Sequence, residues 1–194
     1  MSKIYCMMGK SSTGKDTLYK RILANEELHL NTVIPYTTRP IREGEKEGVE
    51  YYFCNREKVA ELEAAGKVIE RRDYNTIHGI WTYFTVDDGQ IDLKNNDYLI
   101  IGTLESYHKI RDYYGKEFVI PIYIEVEDGE RLQRALNRER EQKVPKYEEM
   151  CRRFLADAKD FSKENLVAAE ITKRFVNQDL DETESEILAY IKSF

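Results

Sequence analysis

One short stretch near the start of this 194-residue chain limits its fold more than any other: Gly9-Lys10-Ser11-Ser12-Thr13-Gly14-Lys15. It has the form G-x-x-x-x-G-K. An apolar run over residues 3–8 precedes it and stops at Gly9, as a buried strand does. Residues 17–24 follow with Leu18, Ile22 and Leu23 at helical spacing. The order is strand, loop, helix. Glycines in such a loop let the backbone curl until successive N–H groups point inward at phosphate oxygens, and the helix N-terminus adds positive potential. Lys15 then reaches the β- and γ-phosphates of a nucleotide. Gly9, Ser11, Ser12, Thr13, Gly14, Lys15, Asp16 and Thr17 are the expected phosphate-binding set, against the blander reading of a plain turn.

Asp16 stands where a serine or threonine usually ligates magnesium. A carboxylate so close to phosphates repels them unless a cation lies between. The expectation is that Asp16 helps position Mg²⁺, with a hydroxyl from Thr17. The competing reading is that Asp16 only decorates the helix N-terminus.

Buried strand patterns recur at residues 30–34, 97–102, 121–126 and 174–177, the third starting at Pro121, which lacks an N–H donor and suits a strand's first residue. Helical patterns fall at 104–113, 127–140 (with Leu132 and Leu136 on one face), 147–163 and 181–191. Alternation of this kind predicts an α/β fold with a parallel sheet covered by helices on both faces, and ligands at the carboxyl ends of its strands. From 36 to 88 the texture turns polar and aromatic, with one helical pattern at 56–65, so an inserted lobe is expected there. Residues 1–35 and 89–194 are then the core, with a lid at about 138–152.

The net charge of −6 argues against generic attraction to nucleic acid or an anionic membrane, so an anionic substrate needs a local cationic cluster. No run reaches the roughly 18 apolar residues of a membrane span, and the N-terminal apolar run is too short for a signal peptide. Cys6, Cys54 and Cys151 are odd in number and far apart, as expected of reduced thiols in the cytoplasm.

The second informative stretch is Thr37-Thr38-Arg39-Pro40-Ile41-Arg42-Glu43-Gly44-Glu45, followed by Glu50-Tyr51-Tyr52-Phe53. Guanidinium forks beside a phenol suit a phosphate monoester. Taken alone, the same residues suit a solvated surface equally well. With the phosphate loop upstream, however, T-T-R-x-x-R-x-G-E and G-x-x-Y-x-F resemble the acceptor signature of guanylate kinases. Further segments extend the resemblance along the chain. They are Val68-Ile69-Glu70, the pair Arg134 and Arg138, Arg153 in Cys151-Arg152-Arg153-Phe154, and Val176-Asn177-Gln178-Asp179-Leu180.

The resemblance implies a P-loop NTPase-type fold and transfer of the γ-phosphoryl of ATP to GMP with Mg²⁺. It implies that Arg39, Arg42 and Tyr51 hold the GMP phosphate, that Glu70 accepts hydrogen bonds from guanine, and that Asn177 lies near adenine. Lys15, Arg134, Arg138 and Arg153 then neutralise the transferring group, as phosphoryl transfer requires. The expected partners are ATP and GMP alone, with no nucleic acid polymer or membrane, for a monomer or homodimer.

Departures from the family pattern gather at the acceptor base. Pro35 replaces a serine, His78-Gly79-Ile80 replaces Tyr-Gly-Ser/Thr, and Leu99 to Thr103 replaces a segment ending in aspartates. His78 is a candidate substitute phosphate donor and Thr103 a candidate acceptor for the base. Two rivals to GMP phosphorylation therefore stand: a related kinase with another nucleotide or a ribose phosphate as acceptor, and a non-catalytic binding module. Asp16→Ser is expected to change the magnesium dependence of turnover, measured by titrating Mg²⁺ at fixed ATP. An unchanged titration curve would remove Asp16 from the metal's surroundings.

Overall fold

The computed structural model describes residues 2–42, 44–76 and 79–194. Its central sheet contains β1 (Ile4–Met8), β6 (Tyr98–Ile101), β7 (Val119–Glu125) and β8 (Arg174–Val176), in the order β6-β1-β7-β8. Every pairing in it is parallel. All five residues of β1 are buried, and alternation sends them to opposite faces. Ile4, Cys6 and Met8 join one core with Tyr107 and Ile110 of α3 (Leu104–Tyr114) and Leu166 of α6 (Lys163–Ala168). Tyr5 and Met7 join the other with Leu18 and Ile22 of α1 (Lys15–Leu23) and Ile187 and Ile191 of α7 (Leu180–Ile191).

The expected strand at 30–34 does not form. That stretch makes only a parallel bridge from Asn31 to Tyr98 on the outer edge of β6, because the N–H and carbonyl of Ile34 are taken by the Gln90 side chain instead of a strand partner. Pro121 lies inside β7, not at its start. The missing donor costs little there. Ile4 N–H donates to the Phe118 carbonyl, and the alternation this sets turns the residue-121 nitrogen away from β1. On that outer side β8 pairs only from Tyr123 onward. The long helix expected over 147–163 is α5 (Tyr147–Asp160), which ends three residues sooner, because the Ser162 side chain accepts the Asn165 N–H and starts a separate helix, α6, that the sequence pattern did not show.

A second sheet, β3-β2-β5-β4, is built from β2 (Tyr36–Thr37), β3 (Tyr52–Phe53), β4 (Val68–Thr76) and β5 (Gly79–Val86). Phe84 and Val86 pack with Val59 and Leu62 of α2 (Arg56–Ala64) into a core of their own. Strict alternation places Glu70 on the same face as Val68. A register irregularity between them turns Glu70 to the opposite face, beside Thr85. The rows Glu70/Thr85, Arg72/Tyr83 and Tyr74/Trp81 therefore share the face away from α2.

Phe84 is fully buried in this small core. Phe84→Ala is expected to destabilise the protein by about 3–5 kcal/mol. Urea unfolding followed by circular dichroism measures this, and a loss below 1 kcal/mol is the result that contradicts it.

Candidate active site

The turn between β1 and α1 is shaped by close packing. A side chain on Gly9 would place its Cβ 2.6 Å from the Ile124 carbonyl oxygen. Gly14 takes φ +82°, and a Cβ there would meet Asn177 Nδ2 at 2.5 Å. Only glycine fits either position. Inside the turn, Thr13 Oγ1 donates to the Lys10 carbonyl at 2.9 Å, and Ser12 adopts φ 64° with its hydroxyl buried and without a hydrogen-bond partner among the described residues.

Side chains from distant elements hold this turn. Asn177, 3% exposed, donates from Nδ2 to the Thr13 carbonyl at 2.7 Å. Arg131 of α4 (Asp128–Arg140) is 1% exposed and donates to the Ser11 carbonyl at 2.9 Å. Asp157 of α5 accepts the Ser11 N–H at 2.6 Å and lies 3.5 Å from Arg131. Asp128 completes the network with Arg131 at 2.8 Å, and Phe154 stacks on the guanidinium at 4.7 Å. The Ser11 peptide is thus gripped on its N–H and on its carbonyl side.

Lys15 and the loop face a cleft of about 900 Å³, and its far wall is the second sheet. Arg39, Arg42, Tyr51, Glu70 and Thr103 line the same cleft. Arg39 is 3% exposed and pairs with Glu45 through both nitrogens, at 2.8 and 3.0 Å. Its guanidinium also lies over the rings of Tyr51 at 5.4 Å and Phe53 at 5.6 Å. The hydrogen bonds from Arg39 hold the Glu45 carboxyl below its ordinary range. The clasp therefore persists at neutral pH and releases as pH falls below that range.

Glu70 is 2% exposed, and its carboxylate is already engaged. Arg72 donates to it from Nε at 2.9 Å and from Nη2 at 3.2 Å, and Thr85 Oγ1 donates at 2.9 Å. Burial pulls the Arg72 guanidinium toward neutrality, but the charge and hydrogen bonds of Glu70 outweigh it and hold it more firmly protonated than usual. The Thr103 hydroxyl caps α3, accepting the Ser106 N–H at 3.2 Å.

Other expected residues stand apart. Arg134 binds Glu130 at 2.9 Å and the Asn177 carbonyl at 3.3 Å, and Arg138 is exposed in the last turn of α4. Neither lines the cleft, whereas Arg153 of α5 does, beside Arg152 and 3.5 Å from Glu149. The buried face of α4 carries Arg131 and Ala135, not the expected Leu132, which is 38% exposed. His78 lies outside the described residues. Asp16 has a side chain 76% exposed, 3.4 Å from Lys15 Nζ, and Thr17 is exposed beside it. Among the described residues no group of three or more His, Cys, Asp or Glu side chains is placed to hold a metal, and no helix is long and apolar enough to cross a membrane.

Sequence reasoning did not single out Arg131, Asp157, Arg72 or Tyr83. Of these, only the Asp128–Arg131 pair had a legible signal, its i, i+3 spacing on a helix.

A parallel α/β sheet with a glycine-bounded turn after its first strand, across one cleft from an arginine cluster on a separate sheet, marks a protein of the P-loop class. The family model for guanylate kinase matches residues 1–193, and the chain belongs to the guanylate kinase family. The guanylate kinase of Enterococcus faecalis is 41% identical over 68 residues, 35% of this chain and 33% of that protein. The guanylate kinase of Malacoplasma penetrans is 28% identical over 131 residues, 63% of this chain and 61% of its own length. Each match therefore spans less than two thirds of the curated relative. The crystal structure of guanylate kinase from Anaplasma phagocytophilum shares the fold, with a TM-score of 0.67 at 21% identity, over 99% of this chain and 85% of that one.

Arg131→Ala leaves Asp157 and Asp128 facing the loop without their shared cation. The expected cost is about 3–5 kcal/mol in urea unfolding. A variant as stable as the parent is the outcome that rejects this network as an anchor of the loop.

Proposed function

We propose that this protein is an ATP-dependent kinase that transfers the γ-phosphoryl group of ATP to the phosphate of GMP, giving ADP and GDP. The carrying observation is that the Lys15 loop and the Arg39–Arg42–Tyr51 cluster line a single cleft. One oxygen of the acceptor phosphate attacks the γ-phosphorus, and the bond to the β–γ bridging oxygen breaks. Little covalent chemistry falls to the protein in such a transfer, which depends on positioning and charge. Lys15 and the loop amides other than that of Ser11, which Asp157 accepts, take the donor phosphates. Arg39, oriented by Glu45, takes the acceptor with Arg42 and Tyr51. Arg153 already lines the cleft, and Arg134 and Arg138 complete the cationic set when the segment between α4 and α5 closes.

Mg²⁺ fits the donor set. It retains waters and binds substrate phosphates together with only one or two carboxylates, so Asp16, exposed beside Lys15, with the Thr17 hydroxyl, suffices on the protein side. Such an ion neutralises charge on the phosphate oxygens. The free thiols of Cys6, Cys54 and Cys151 are in keeping with a cytoplasmic setting.

With Mg-ATP and GMP, ADP release is expected from the native chain. Lys15→Ala and Arg138→Ala are each expected to lower kcat by orders of magnitude while the circular dichroism spectrum stays native. ADP release with none of GMP, dGMP, AMP, CMP, UMP or ribose bisphosphate would return the chain to the binding-module reading.

A further inference from the structure

The base end of the cleft has an unusual balance of donors and acceptors. Pro35 offers no side-chain polar group, and Thr103 is engaged with Ser106 as a helix cap. Glu70, a carboxylate of the second sheet on the cleft wall, is sealed: its side chain is 1% exposed and both of its oxygens accept hydrogen bonds from Arg72 or Thr85. Arg72 itself is reachable. Its side chain is 18% exposed and lines the cleft. A guanidinium carries five N–H donors; Glu70 engages two of them and Tyr74 one more, so two are left for a ligand. Tyr114 lines the same cleft, and its phenol is buried without a hydrogen-bond partner among the described residues. What approaches the Glu70 side of the cleft therefore meets the Arg72 guanidinium before the carboxylate.

We infer that Arg72 is the residue that reads the acceptor base, donating to the acceptor edge of guanine formed by O6 and N7, with Glu70 as the positioning residue that holds the fork. The inference rests on the phosphotransfer reading above and deepens it. A guanidinium fork matches the O6/N7 pair of guanine, and adenine presents an amino donor in place of O6. The 2-amino group of guanine is not needed for this contact. That separates it from reading by a carboxylate, which would accept from N1–H and the 2-amino group. Arg72 lies on β4 opposite Tyr83 of β5, whose ring meets those of Tyr51 and Tyr74, so the fork sits next to the acceptor-phosphate grip without taking the place of Arg39.

The test is a coupled ADP-release assay on the full chain with GMP, IMP, AMP and 7-deaza-GMP. Wild type is expected to use IMP within about ten-fold of GMP in kcat/KM, and to lose on the order of 10- to 100-fold with 7-deaza-GMP and with AMP. Arg72→Lys keeps a cation against Glu70 but removes the fork, and Glu70→Gln loosens it. Both are expected to narrow the GMP-to-AMP preference by a similar factor, a ratio that a general loss of stability does not move. Two results overturn the inference while leaving the kinase intact. One is IMP falling 100-fold or more below GMP while 7-deaza-GMP performs like GMP, the pattern of carboxylate reading. The other is Arg72→Lys raising KM equally for every nucleotide, the pattern of a phosphate contact. Absence of turnover with any nucleotide overturns the kinase reading itself, and this inference with it.

Discussion

Two phosphate anions repel one another, and a chain of net charge −6 adds to that repulsion at long range. Any structure that brings two such groups together must do so with cations held close, in fixed directions, at the meeting point. In the proposed reaction backbone amides and Lys15 form one cradle, and the buried Arg39 with the exposed Arg42 forms the other. Their fields are local enough to prevail over the acidic surface.

The donor cradle is made of backbone, which has no stiffness of its own, so rigidity comes from outside the loop. Asn177 from the end of β8, Arg131 from α4 and Asp157 from α5 each bond to its main chain. Two of these contacts come from α4 and α5, the helices on either side of residues 141–146, so both helices are tied to the loop at Ser11. The acceptor cradle is stiffened differently. Arg39 is enclosed by Glu45, Tyr51 and Phe53, so the guanidinium has little rotamer freedom left to lose on binding.

Family membership is secured by a match over nearly the whole chain, and the fold by a solved structure that covers almost all of it. One end of the cleft is poor in free polar side chains: Pro35 has none, and the Thr103 hydroxyl is taken up in capping α3. In the same cleft Arg72 and Glu70 form an ion pair in which the carboxylate is sealed and the guanidinium is the partly exposed member.

The sequence alone was enough for the phosphate loop, the alternation of buried strands and helices, and the arginine-rich acceptor stretch. Each of these is a local pattern, written in the spacing of neighbouring residues and the conformational freedom of glycine. It was not enough for the position of Pro121, whose tolerance depends on where β8 begins to pair. Nor did it show the break at Ser162, or the irregularity after Val68 that turns Glu70 into the cleft. Only the tertiary structure shows that Glu70 pairs with Arg72 and that Asn177 bonds the loop at Thr13. Those partners are separated along the chain or set by one extra residue in a strand, and hydrogen bonds form by distance in space, which spacing in sequence does not encode.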